Sequence, residues 1–190
     1  MPRVGLSKTD VVAAGAELAD DVGFANLALS PLAQRLGVRA PSLYKHIDGL
    51  ADLQHGIATL AMGELDQCVR DAMHGRTGSA ALAAFSNAFR HYVVEHPGRY
   101  AATVGATFTG PDDPLLQSST RVIESIQVVL RGYGIPESDM VHAVRTLRSI
   151  FHGFASLQAA NGFQWSPDAE DSFDWMIRFL DRGFSDAGAG

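Results

Sequence analysis

The chain is short of several things, and each shortage removes a class of protein. It has one cysteine, Cys68. A disulfide framework is therefore excluded, which suits a reducing compartment, and the residue reads as helix packing. No apolar run approaches the roughly 20 residues that cross a bilayer. The opening stretch, Met1 to Lys8, has no apolar h-region, so no secretory signal is expected. These absences together predict a cytoplasmic protein with no membrane partner. Sustained alternation of apolar and polar residues is missing, and so is any internal repeat. Charged residues are sparse at 19% while apolar ones reach 46%, the balance of a globular chain with a real core and not of a disordered one.

Enzyme signatures are missing too. There is no His-Glu-x-x-His pair, no Gly-x-Ser-x-Gly elbow, no phosphate loop and no dinucleotide fingerprint. His142 and His152 stand too far apart in sequence for the three or four residue spacing that shares a helix face. Catalysis is not expected, nor any metal or cofactor.

One absence is local. The formal charge is −6, a poor start for contact with phosphate, yet no acidic residue lies between Val22 and Ile47. That window holds Arg35, Arg39, Lys45 and His46 and is locally cationic. The acidic excess sits entirely beyond residue 50, where it would be repelled by a polyanion and so help to orient the molecule on one.

Helical periodicity fills what remains, and an all-α fold is predicted. Ser7 is a good N-cap, with Val11, Ala14, Leu18 and Val22 on one face and Gly23 placed to end the helix. A short helix is expected from Ser30, with Pro31 at its first position, Leu32, Ala33 and Leu36 on its apolar face, and Gly37 closing it. After the turn Gly37-Val38-Arg39 comes another short helix with Pro41 near its start and Leu43, Tyr44 and Ile47 following. A long helix opens at Asp48 or Gly49 and fades around His74 to Gly78. Further helices are expected up to His96-Pro97, over 99–106 and 116–130, from Pro136 to about 161, and from Ser166-Pro167 to Phe184. The tail, 186–190, is expected to be disordered. The order suggests a helix-turn-helix domain over 1–48, a connecting helix over 49–74, and a C-terminal domain over 75–185.

Leu29 to Ile47 carries the functional signal. Two short helices about a glycine-bearing turn are the signature of a helix-turn-helix, whose second helix fits the major groove of duplex DNA. Leu32-Ala33-Gln34-Arg35-Leu36-Gly37-Val38, then Pro41-Ser42-Leu43-Tyr44-Lys45-His46-Ile47, then Leu50-Ala51-Asp52-Leu53 resemble the TetR repressor family, closely over residues 7 to about 70. The resemblance implies that Arg39, Ala40 and Ser42 face base edges. It implies that Ser30, Tyr44, Lys45 and His46 hold phosphates. Leu50 departs from the many relatives with lysine there, so one phosphate contact is expected to be missing. Read without the resemblance, Tyr44 fits a core position and Arg39 and Lys45 fit plain solvated charges.

His96-Pro97-Gly98-Arg99-Tyr100 and Phe151-His152-Gly153-Phe154-Ala155-Ser156-Leu157 resemble, more loosely, the C-terminal domain called WHG, with Phe151 at the usual tryptophan. This implies a ligand-responsive repressor acting as a homodimer on a palindromic operator of double-stranded DNA. Its last two helices, about 136–161 and 166–184, would pair with their copies through the apolar stripes of 141–157 and 173–184, unless those stripes are internal core. A small-molecule effector is expected among the C-terminal helices, lined by Phe89, Tyr92, Phe108, Phe151 and Trp175 with His152 and Gln158 as polar groups. Each of these aromatics also fits a core. The rival to a DNA-binding regulator is a helical protein-interaction module.

Overall fold

The computed structural model describes residues 6–164 and 168–188. Among them all regular structure is helical, as predicted: α1 (Lys8–Val22), α2 (Leu29–Arg35), α3 (Ala40–Leu43), α4 (Leu50–Met73), α5 (Gly78–Glu95), α6 (Pro97–Thr103), α7 (Pro114–Gly132), α8 (Glu137–Ala159) and α9 (Ala169–Gly188), with one 3-10 turn at Phe24–Asn26. Ser166 and Pro167, the expected start of the last helix, lie outside the described residues. The tail expected from 186 instead continues α9 through Gly188.

Packing divides the chain into two units. The first joins Met1–Glu64 to His96–Ser118, and the second joins Leu65–Glu95 to Ser119–Gly190. The boundaries drawn from sequence order at 48 and 74 do not follow this division. The reason is α6: a segment read as C-terminal by its position in the chain packs on α1.

That packing is set by Gly98 in the first turn of α6. A Cβ there would lie 1.9 Å from the Ala19 carbonyl oxygen, so only glycine lets the two backbones approach. Polar contacts hold the approach. The Arg99 backbone N–H donates to Asp20 Oδ1 at 2.8 Å, and the Arg99 guanidinium lies 2.9 Å from Asp20 Oδ2 and donates to Glu64 at 3.2 Å.

The first unit's core is aliphatic. Val11, Ala16, Leu32, Leu43, Leu53 and Ile57 are fully buried and Ile47 is nearly so, each such large side chain contributing about 1.5–3 kcal/mol. Ser7 and Asp10 cap α1 reciprocally. At the start of α7, the buried Asp113 accepts from the Thr109 and Leu115 backbone N–H groups at 2.8 and 2.9 Å, and faces His55 Nε2 at 3.2 Å. These N–H donors, the Thr109 one foremost, hold its carboxyl down at about 2 against the opposing effect of burial.

The second unit has an aromatic core. The rings of Phe85, Phe89 and Phe151 lie 5.9–6.2 Å apart, and Phe173, Ile177, Leu180 and Phe184 of α9 are buried. Two charged clusters tie its helices. Arg90 of α5 donates to Gln158 of α8 and Glu170 of α9, both at 2.6 Å, with its guanidinium 4.5 Å above the Phe173 ring. The Asp66 carboxylate, 2% exposed, accepts from Arg70 at 2.8 Å and from Arg121 at 2.6 Å.

Candidate nucleic-acid interface

The helix-turn-helix is α2, the turn at Gly37, and α3. The chain enters α2 extended at Ala28, so the helix begins at Leu29 with no side-chain cap. Ser30 is therefore not the N-cap expected from sequence. It and Pro31 sit inside the first turn, where backbone N–H groups lack intrahelical partners and proline is tolerated. Gly37 takes φ +66°, which turns the chain sharply between the helices. Arg39 is the first flanking residue of α3 and Pro41 follows within its first turn. The helix itself is a single turn, extended to Ile47 by bonds such as His46 N–H to Leu43 O at 2.8 Å.

Leu43 and Ile47 anchor this element in the aliphatic core beside Leu32 and Ala33. Their burial turns the intervening residues outward. Tyr44 is 59% exposed, so it is not a core residue. Ser30, Arg39 and Lys45 are exposed, and Ala40, Ser42 and His46 are half-buried. No ion pair among the described residues engages Arg39 or Lys45.

Arg35 behaves differently from the expectation. It lies in the acid-free stretch of sequence, but the fold brings α1 beside it, and its guanidinium meets Asp21 at 2.7 Å and Glu17 at 3.9 Å. The local cation excess therefore rests on Arg39 and Lys45. Lys8 is likewise occupied, donating to Asp52 at 2.8 Å and holding that carboxyl below its ordinary range.

In the second unit, Phe89 and Phe151 of the expected pocket lining meet in the aromatic core, while Trp175 lies on another face. Phe89, Tyr92 and Phe151 are buried against their neighbours as core. Phe108 belongs to the first unit and is half exposed, because the loop carrying it follows α6. Trp175 is 57% exposed and stacks on Phe179 at 5.4 Å, since it lies on the face of α9 opposite Phe173 and Ile177. The Gln158 carbonyl oxygen is taken by Arg90, and His152 Nδ1 lies 3.4 Å from the Ser156 hydroxyl. Arg90 itself was not foreseen; a lone arginine on an apolar helix has no spacing signal. The Asp66–Arg70 pair did carry one, the i,i+4 step.

An all-helical chain that sets a short, cation-bearing helix on its partner through a glycine turn defines the helix-turn-helix class of transcription regulators. The comparisons with known proteins agree. A family model described as "Tetracyclin repressor-like, C-terminal domain" matches residues 82–180. The uncharacterised HTH-type transcriptional regulator YobS of Bacillus subtilis (strain 168) is 30% identical over 177 residues, 93% of this chain and 92% of its own. The chain belongs to the TetR family of transcriptional regulators. Among solved structures, BioQ with its natural double-stranded DNA operator superposes with a TM-score of 0.68 at 22% identity, covering 95% of this chain and 99% of that one. A variant of TetR from Acinetobacter baumannii AYE in complex with minocycline gives 0.71 at 22% identity, over 95% and 97%. No helix among the described residues is long and apolar enough to cross a membrane.

Proposed function

We propose that the protein is a homodimeric repressor that places α3 in the major groove of a palindromic operator and releases it when a small molecule binds the second unit. The observation that carries this reading is Tyr44, exposed beside Arg39 and Lys45 on an element anchored from beneath by Leu43 and Ile47. A groove-reading surface needs that combination of a rigid base and accessible donors. Arg39, Ala40 and Ser42 read base edges, and a bidentate arginine–guanine pair discriminates by about 1–3 kcal/mol. Ser30, Tyr44, Lys45 and His46 hold the backbone on either side. BioQ, with operator DNA in its solved structure, supports the partner. The minocycline complex of the Acinetobacter TetR variant supports an effector, which shifts the equilibrium by binding the DNA-incompetent arrangement more tightly.

The dimer surface we assign to α8 and α9 keeps only Val141 and Leu157 of the apolar residues read from sequence and adds Trp175 and Phe179. Val144, Leu147, Phe151, Phe173, Ile177, Leu180 and Phe184 are core of the second unit, whereas Val141, Leu157, Trp175 and Phe179 are exposed on the same two helices. Charge supports self-pairing. Both helices are acidic at the start, with Glu137 and Asp139 on α8 and Glu170, Asp171 and Asp174 on α9. Further on, α8 is basic at Arg145 and Arg148, whereas on α9 Arg178 and Arg182 are matched by Asp181 and Asp186. Antiparallel pairing of α8 with its copy about a two-fold axis sets its acidic start against the other's basic stretch.

Gel retardation on DNA flanking the protein's own gene tests the reading. A retarded band that weakens steeply with salt, over a site whose half-sites are one helical turn or a multiple apart, is expected. Tyr44→Ala should abolish it while helicity and mass in solution stay unchanged. No band at low salt would favour a helical interaction module.

A further inference from the structure

The chain has two lysines, Lys8 and Lys45, and both lie in the first unit. Lys45 belongs to the surface around α3 already described. Lys8 opens α1, yet its ammonium reaches the first turn of α4, donating to Asp52 Oδ1 at 2.8 Å and Oδ2 at 2.9 Å. Asp52 Oδ2 also accepts the Asp48 backbone N–H at 3.0 Å. Asp48 directly follows Ile47, which anchors the α3 element in the core. One carboxylate oxygen therefore bridges the Lys8 ammonium and the backbone at which that element ends.

Asp10, in the same turn of α1, marks the same border. Its carboxyl is held below its ordinary range by the Ser7 hydroxyl and N–H first, and also by the nearby His46 ring. The start of α1 thus flanks the α3 element from His46 to Asp48.

A plain tie between α1 and α4 does not account for this placement. The Lys8 side chain is 55% exposed, and exposed ion pairs contribute little to stability. Close packing already joins the two helices: a Cβ on Gly56 would lie 2.8 Å from Val12, and one on Gly15 2.8 Å from Leu53. What the pair does is hold a cation where α4 has none of its own. Leu50 opens α4 without a charge, and Asp10 and Asp48 are exposed beside it. Without Lys8 this edge would repel a phosphate. An ammonium carries three donors, and among the described residues Asp52 alone is bonded to this one.

We propose that Lys8 is a further phosphate contact of the DNA surface, oriented at the start of α4 and attenuated by Asp52. The proposal rests on the DNA reading above and adds to it a residue outside α2 and α3. On docking, an ammonium N–H donates to a phosphate oxygen beside the groove while Asp52 keeps its share of the charge. Removing the Asp52 charge should therefore strengthen DNA binding. A tie that serves only folding predicts the opposite sign.

Fluorescence anisotropy on a mixed-sequence duplex of about 30 base pairs tests this, because phosphate contacts are independent of sequence and no operator is needed. Lys8→Gln should lower the slope of log affinity against log salt by about 0.9 for each protomer engaged, as should Lys45→Gln. Asp52→Asn keeps an oxygen for the Asp48 N–H and should tighten binding several-fold at low salt. In a Lys8→Gln background that gain should shrink below about twofold. Far-UV dichroism checks that each variant keeps its helicity. Reductive methylation read by peptide mass probes the wild type directly: duplex DNA should slow labelling of Lys8 as well as Lys45. A slope lowered in Lys45→Gln but not in Lys8→Gln overturns the proposal and leaves the DNA reading. So does protection of Lys45 without Lys8, or weaker binding by Asp52→Asn. A wild type that binds no duplex at low salt removes both.

Discussion

Around α3, Arg39 and Lys45 have no acidic partner among the described residues and Tyr44 projects into solvent, whereas in the second unit Arg90, Arg70 and Arg121 are each drawn onto a carboxylate. The first unit uses an aliphatic core to hold a polar surface open. The second uses polar pairs to fasten helices around an aromatic core. Surface changes in the first should therefore alter what the protein binds, and changes in the second whether it stays folded.

The largest effect should come from Phe151→Ala, which removes a ring 1% exposed and packed on Phe85 and Phe89. A loss of about 4 kcal/mol is expected in denaturant unfolding; a loss under about 1 kcal/mol would mean the aromatic cluster is not a packed core. Leu43→Ala should cost about 3 kcal/mol, because Leu43 is fully buried under the element it supports. It should also impair DNA retention, unlike Phe151→Ala at temperatures where that variant is still folded. Phe179→Glu should leave the protomer folded but halve its mass in light scattering, since the ring is 54% exposed in the protomer. A dimer that survives this change places the interface elsewhere.

A smaller effect concerns acid. Asp113 has its pKa lowered from 3.8 to about 2 by its N–H donors. Its contribution is complete above the unfolded value near 4 and is lost as pH falls through about 2. Asp113→Asn should flatten the acid limb of the stability curve between those limits; an unchanged limb would show that Asp113 does not set it. Smallest of all, Tyr44→Ala should move stability by less than about 0.5 kcal/mol. A large loss of stability there would erase the contrast between the two units.

The helix-turn-helix was legible because its signals are local. Pro41 and Gly37 act within their own turns, and Leu32, Leu43 and Ile47 show by spacing which face is apolar. What spacing cannot show is which element covers a face or meets a charge. Arg35 looked available because its neighbours in sequence are not acidic, but α1 supplies Asp21 from a distance along the chain. Phe173 and Trp175 are two residues apart on one helix, and only packing reveals that the first is core and the second exposed. The same limit misplaced Cys68, read as packing but exposed on α4, and Phe108, which belongs with the first unit. The begin-point of α2 moved because an extended Ala28, which has no side-chain oxygen, does the entering.

The return of α6 to α1 through Gly98 bears on modular engineering of this protein. A chimaera that grafts residues 1–48 onto another regulator would leave behind the segment that closes over Ala19 and Asp20. The operator-reading head is assembled from stretches far apart in the gene, so any exchange of DNA specificity must carry His96–Ser118 along or be confined to the few side chains on the outer face of α3.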